Sequence, residues 1–328
     1  MTILMTGLCE KGADQIWKQC NDAMYAQGVT WLEEAAYAGD AEAWFFLGHC
    51  YSWGDGAVGF NEKKAYECYL RGASAGSARA VLGALRAGQY DEQMKQSARY
   101  SIEECYRQVR DAAEMGDVYA AWQMGEAVEW EDLADYMPQT ESAREQCLFW
   151  YERAADGGII PAMVKMGKCC QNGTYREKDE KEALRWANQC AASGEVWGLF
   201  QMGEHYRQEE DWEAAFQYDY AAAKQGSSRA MLYLGQMYLN GQGTERDIQA
   251  AVQALEGAAA RNEAESFEEL GNLFYQDELV ERDDEKAFYW YGKAYAAGIK
   301  EAALPLARLY LRPSDEQDTV RAEKLLRE

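Results

Sequence analysis

The stretch DDEKAFYWYGKAYAAG, residues 283–298, decides the fold. It opens on Asp283, a residue whose carboxylate accepts hydrogen bonds from the free N–H groups of a first helical turn. Ala287 follows four residues on and Trp290 three after that, so a small and a large residue share one helical face. Gly298 ends it, the residue that most readily takes the left-handed conformation that stops a helix. The same order returns at Asp179, Ala183, Trp186 and Gly194, at Asp211, Ala215, Tyr218 and Gly226, and at Asn61, Ala65 and Gly76. Ser101 leads to Cys105 and Gly116, with Glu104 placed for a capping box. Asp247 and Ala251 lead to Asn262 in place of glycine, Cys147 and Trp150 lead to Gly158 without the cap, and Trp31 with Gly39 reads as the end of a partial first copy.

Working outward, a second phrase precedes each of these. It runs from a small residue to a large apolar one four later, then glycine, then an aromatic three on. Ala230, Leu234, Gly235 and Tyr238 show it, as do Ala43, Leu47, Gly48 and Tyr51, and Ser266, Leu270, Gly271 and Phe274. Gly198, Met202, Gly203 and Tyr206 fit, Ala162, Met166 and Gly167 fit in part, and weaker copies centre on Gly83 and Gly125. Ala307 replaces the glycine in the last copy, after Ala302 and Leu306 and before Tyr310. The anchors at 48, 83, 125, 167, 203, 235, 271 and 307 are spaced by 35, 42, 42, 36, 32, 36 and 36 residues. A repeat of this length is one helical hairpin that cannot bury its own apolar face and must stack on its neighbours. Glycine inside a helix costs about 1 kcal/mol against alanine, so its recurrence in register predicts contact with a neighbouring backbone. Two longer gaps place insertions near 89–96 and 129–142.

The 328 residues hold 33 basic and 56 acidic side chains, a formal charge of −23. That charge repels phosphate backbones and anionic membrane surfaces, so neither nucleic acid nor membrane is an expected partner. No stretch approaches 18 apolar residues, and the first residues show no basic start before an apolar run. The nine cysteines are an odd number without regular spacing, which suits thiols in a reducing, cytoplasmic compartment.

At these residues the chain resembles the Sel-one-like repeat family, a relative of the tetratricopeptide repeat. Asp283, Lys286, Ala287, Trp290, Tyr291, Ala294 and Gly298 match one family phrase, and Ala230, Leu234, Gly235, Tyr238 and Gly241 match the other. The likeness runs from about residue 24 to the end. It implies an all-α fold, a right-handed α-solenoid of about eight to nine helix-turn-helix repeats: a partial capping repeat over 1–39, repeats over 40–312 and a capping helix over 313–328. It also implies a concave groove lined by the first helices and used for protein or peptide binding. Family register places inward the positions three before, one after and four or five after each anchor. These are Phe45, His49 and Trp53; Trp122, Glu126 and Trp130; Val164 and Lys168; Phe200, Glu204 and Arg207; Leu232, Gln236 and Asn240; and Glu268, Asn272 and Tyr275. In the copy at Gly83 the same register holds Ala80, Ala84 and Ala87, small residues that would leave a pocket between the tryptophan-bearing copies.

Little in the sequence points to chemistry. The two histidines, His49 and His205, stand alone on first helices. Cys169, Cys170 and Cys190 with His205 match no zinc spacing, and Cys105 and Cys147 stand where other copies have alanine. Acidic clusters such as Glu209, Glu210 and Asp211 lie at helix starts, where negative charge suits the dipole. No catalytic residue, metal or cofactor is expected. The function expected is an adaptor or scaffold. An acidic inhibitor of a basic partner, such as an immunity protein against a toxin nuclease, is the alternative, and an enzyme is the remaining one.

Overall fold

The computed structural model describes residues 7–19, 22–54, 58–130, 143–276 and 279–311. The capping helix expected over 313–328 and most of the insertion expected over 129–142 lie outside the described residues. Every described regular element is helical, and no strand occurs among them. The helices pair in chain order: α1 (Gly7–Trp17) with α2 (Asp22–Tyr37), α3 (Ala41–Trp53) with α4 (Glu62–Ala75), and α5 (Ala78–Arg86) with α7 (Ile102–Glu114). Then come α8 (Val118–Glu129) with α9 (Ala143–Asp156) and α10 (Ile160–Asn172) with α11 (Glu180–Ala192). The later pairs are α12 (Val196–Gln208) with α13 (Trp212–Lys224), α14 (Ser228–Asn240) with α15 (Ile248–Ala259), and α16 (Ala264–Tyr275) with α17 (Asp284–Ala296). The last helix among the described residues, α18 (Ala303–Tyr310), follows a 3₁₀ turn. Each anchor from Gly48 to Gly271 falls on the first helix of its pair, and Ala307 falls on α18. The chain divides into two compact units, residues 1–198 and 199–328.

The helix ends follow the sequence phrases. Asn61, Asp179, Asp211, Asp247 and Asp283 each accept a backbone N–H at the start of a second helix, and Ser101 with Glu104 completes a capping box. Residues 39, 76, 116, 158, 194, 226, 262 and 298, which close the second helices, all have positive φ. Asn262 replaces glycine there at φ 59, a conformation asparagine tolerates better than most residues. The insertion over 89–96 forms a short helix, α6 (Glu92–Ser97). It is tied to α4 by Met94, which is fully buried, and by the Tyr66 hydroxyl donating to Asp91 at 2.9 Å.

The anchor glycines meet side chains more than backbone, which corrects the expectation from propensity. A β-carbon on Gly48 would lie 2.6 Å from the ring of Tyr69, and one on Gly125 or Gly271 would lie 2.7 Å from the rings of Tyr151 and Tyr291. In each case the ring comes from the second helix of the same hairpin. Backbone approach of the expected kind occurs in the first hairpin, where Gly12 and Gly28 would each bring a β-carbon within 2.9 Å of the other's carbonyl oxygen.

In the first unit the first helices α1, α3, α5 and α8 pack about one centre. Trp17 of α1 lies 5.2 Å from Phe46, 5.5 Å from His49 and 5.9 Å from Trp122, ring centre to ring centre. The Tyr119 hydroxyl of α8 donates to Asp14 of α1 at 2.6 Å. Beside this aromatic group Arg79, fully buried, pairs with Asp117 at the start of α8 and lies 3.6 Å from Glu42 at the start of α3. Burial lifts the Glu42 carboxyl above its ordinary range.

Gly271→Ala is expected to destabilise the chain by about 1–3 kcal/mol, because the new methyl overpacks against Tyr291 by more than the helix propensity it gains. Gly292→Ala in α17, where a β-carbon meets nothing within 4 Å, is expected to stabilise by about 0.5–1 kcal/mol. Urea denaturation followed by circular dichroism reads both, and equal effects of one sign would contradict the packing.

Candidate functional site

The closed centre of the first unit changes what its first-helix wall can offer. Phe45, His49 and Trp122, expected to face a groove, are 3, 7 and 6% exposed. The expectation is corrected there because α1 lies across the wall and Trp17 fills the space a ligand would occupy. Trp53 and Trp130, one turn further along, stay 49% and 60% exposed. Between them sits Arg86, its guanidinium 5.2 Å from the Trp53 ring centre and 4.5 Å from that of Trp130. A pocket beside this bracket is lined by His49, Gly83, Gln123 and Glu126 among others, with His49 Nε2 3.9 Å from Glu126 Oε2. It lies between the tryptophan-bearing copies, as expected, but Gly83, Leu82 and Arg86 line it from α5 rather than the alanines. Val164 of α10 is half-buried, and Lys168 is exposed.

In the second unit the first helices α12, α14 and α16 make a continuous wall. Phe200 of α12 stacks on Tyr233 of α14 at 6.1 Å, and Gln236 of α14 donates through Nε2 to Glu269 of α16 at 2.8 Å. Arg207 lies flat over Tyr233, 3.7 Å from the ring centre. One pocket here is lined by Arg207, Trp212, Tyr233, Gln236, Asn240 and Glu269 with three others. It brings together three of the register positions. Glu204 is half-buried and Asn240 is exposed, while Leu232 is fully buried in the hairpin core. Glu268 is half-buried, and burial together with Glu301, Glu269 and Glu265 raises its pKa. Asn272 turns toward its own hairpin, accepting from the Tyr291 hydroxyl at 2.7 Å, and half-buried Tyr275 lies under the guanidinium of Arg282 at 4.6 Å.

Arg207 also forms an ion pair that the repeat pattern does not announce. Eight residues after its cap the hairpin of α16 and α17 carries Tyr291, and that of α3 and α4 carries Tyr69. At the same step α13 carries Asp219, fully buried against Gly203. Asp219 Oδ2 accepts from Arg207 Nη1, while Asp219 Oδ1 and Arg207 Nη2 are buried with no hydrogen-bond partner. Burial outweighs the attraction of Arg207 and raises the Asp219 pKa to about 6.

Among the described residues no group of three or more His, Cys, Asp or Glu side chains could hold a metal ion. The eight cysteines described are buried, and burial pushes the thiols of Cys68, Cys105 and Cys147 up to about 12, far from a reactive thiolate. No described helix is long and apolar enough to cross a membrane.

The Sel1 repeat sequence model matches residues 23–40, 41–77, 118–159, 160–195, 228–262 and 268–299, together more than half of the chain. The chain belongs to the Sel1 repeat family. Its helical hairpins are the repeats of an α-solenoid, the architecture of the tetratricopeptide-like superfamily, and the fold is in general a non-catalytic protein-interaction module. Similar solved structures include a protective antigen present in uropathogenic Escherichia coli strains, at 20% identity and TM-score 0.66 over 90% of this chain. This chain spans 63% of that antigen's length. A Sel1 repeat protein from Oxalobacter formigenes matches at 23% identity and TM-score 0.51, over 69% of this chain and 98% of its own. An immunity protein from Pseudomonas aeruginosa, 23% identical over 62% of this chain and 78% of its own, has a TM-score of 0.37, too low to bear on function. At these identities the likeness is one of fold. Comparison with curated proteins gives no match.

Asp219→Ala is expected to destabilise the chain by about 3 kcal/mol, since it leaves a nearly buried guanidinium uncompensated. Replacing both partners, Arg207→Leu with Asp219→Leu, is expected to recover most of that loss, because leucine already fills the equivalent place at Leu255. The carboxyl pKa is higher folded, at about 6, than the roughly 3.9 expected unfolded. The folded chain therefore takes up the proton first, and this group adds stability as pH falls from 7 toward 5. Asp219→Asn removes that increment. Denaturation midpoints of the three variants across pH 5–7 check both statements.

Proposed function

We propose that this chain is a cytoplasmic adaptor or scaffold that holds a segment of a partner protein against the first-helix wall of α12, α14 and α16. The observation that carries this is the pocket in which Arg207, Gln236 and Asn240 meet Trp212 and Tyr233. Aromatic faces beside carboxamide and guanidinium groups suit an extended peptide, whose backbone needs donors and acceptors and whose side chains need apolar surface. The first unit offers less for such a segment, since its own helix α1 occupies the equivalent wall. The odd number and irregular spacing of the nine cysteines support a reducing compartment. The interaction role typical of the family supports a non-catalytic reading.

A photo-crosslinking amino acid at Asn240 is expected to capture one partner, and the same group at Gln253, exposed on α15, is expected to capture none. Tyr233→Ala should weaken that capture about tenfold or more, as loss of a central aromatic contact does. Equal capture at both positions, or capture unchanged by Tyr233→Ala in a folded chain, would remove the wall of α12, α14 and α16 from consideration.

A further inference from the structure

The bracket of Trp53, Arg86 and Trp130 stands at one end of three first helices. Trp53 is the last residue of α3, Arg86 the last of α5, and Trp130 the C-cap of α8. Three helix C-termini therefore converge here, and each presents the negative end of its dipole. The faces of the two indoles are negative as well. Glu126 adds a carboxylate to the adjoining pocket, and the whole chain carries a formal charge of −23. All of these fields favour a cation. The width of the slot is shown by its present occupant: a guanidinium fits between the two rings, 5.2 and 4.5 Å from their centres. The indoles nonetheless remain about half exposed or more, at 49% and 60%, whereas Trp17 and Trp122 in the same unit are buried. Two exposed tryptophans facing one cation form a binding surface of the kind that recognises basic side chains.

We infer that the slot between Trp53 and Trp130 receives an arginine or lysine side chain of a basic partner protein, which displaces Arg86 and takes Glu126 as its counter-ion. Arg86 is then an internal occupant that competes with the partner. It keeps the rings apart and preformed, and it rejects weakly binding cations that cannot add contacts of their own. The inference rests on the interaction role proposed above but concerns different residues, so crosslinking at Asn240 neither supports nor damages it.

The test uses the full chain with ¹⁵N-labelled indoles and a defined probe, the end-blocked peptide Gly-Arg-Gly-Arg-Gly, with Gly-Glu-Gly-Glu-Gly as its counterpart. The arginine peptide is expected to shift the indole resonances of Trp53 and Trp130. Trp53→Ala with Trp130→Ala should weaken its binding about tenfold although no charge changes. Arg86→Ala should strengthen it several-fold, and by more than Lys95→Ala, which removes the same charge from α6. Denaturation midpoints confirm that each variant is folded. Binding that ignores the tryptophans would show that charge alone holds the peptide and would overturn the inference. So would weaker binding by Arg86→Ala, or a preference for the glutamate peptide, which would make Arg86 a carboxylate receptor instead.

Discussion

One missing atom sets the geometry of the hairpins: the β-carbon at the glycine anchors, Gly48 to Gly271, of the first helices. At Gly48, Gly125, Gly203, Gly235 and Gly271 a side chain from the second helix of the same hairpin lies in its place, and at Gly167 it is Trp197 of α12. Where that side chain is tyrosine, the ring crosses the bare Cα and the hydroxyl reaches back to the first helix. Tyr69 receives a bond from Ser52 at 3.2 Å, Tyr151 donates to Glu129 at 2.7 Å, and Tyr291 donates to Asn272 at 2.7 Å. The apolar body of the ring is buried and its polar tip is satisfied. Both helices are thereby held in one axial register. The same Tyr69 ring also lies 2.7 Å from where a β-carbon of Gly83 would stand, so one side chain ties its own hairpin to the next. The local pairing and the stacking of the first repeats thus depend on the same contact.

That tight approach has a consequence for the first unit. Hairpins packed this closely bring α1 back against α8, and the wall that a looser stack would leave free closes on Trp17. Next to this centre the buried Arg79 holds the starts of α3 and α8 together through Glu42 and Asp117. A buried arginine with fewer partners would be a liability, because an uncompensated buried charge costs several kcal/mol. Here the carboxylates and the face of Phe46, 5.8 Å from the guanidinium, surround it. The closed centre therefore joins an aromatic group to a buried ionic one, and its exposed aromatic surface, Trp53 and Trp130, lies at the rim instead of along the wall.

Most of the fold was legible because its signals are local. Caps and terminal glycines act within one turn, and every second-helix stop read from the sequence has positive φ. The first hairpin was less legible. Gly12 stands 36 residues before Gly48, the ordinary repeat spacing, and Trp17 stands five beyond it as Trp53 stands five beyond Gly48. Only the weak surrounding phrase hid a complete hairpin where a partial one was expected. The groove positions were read by register, which fixes the side of a helix but not what packs upon it. Phe45, His49 and Trp122 point inward as the register says, yet inward in this unit is interior. Asp219 was hidden for another reason: its meaning lies in a pair with Arg207 twelve residues earlier, and each partner alone resembles a surface charge.

The charge of the chain gives these arginines a shared logic. With 33 basic residues against 56 acidic ones, a cation on the outer surface would be drawn to many carboxylates at little gain, since exposed pairs contribute under about 1 kcal/mol. Several arginines also lie over aromatic rings: Arg71 over Trp44, Arg86 over Trp130, and Arg185 over Trp186, Arg207 over Tyr233 and Arg282 over Tyr275, the last three while pairing with a carboxylate. Stacking covers the guanidinium plane, the least hydrated part of the group, and stretches the long side chain along the helix surface. The acidic groups are left to dominate the field that an approaching molecule meets. For the basic partner proposed above, long-range steering and close-range recognition would then come from different residues: the carboxylates would set which charge is drawn in, and the aromatic faces that already hold cations would decide where it settles.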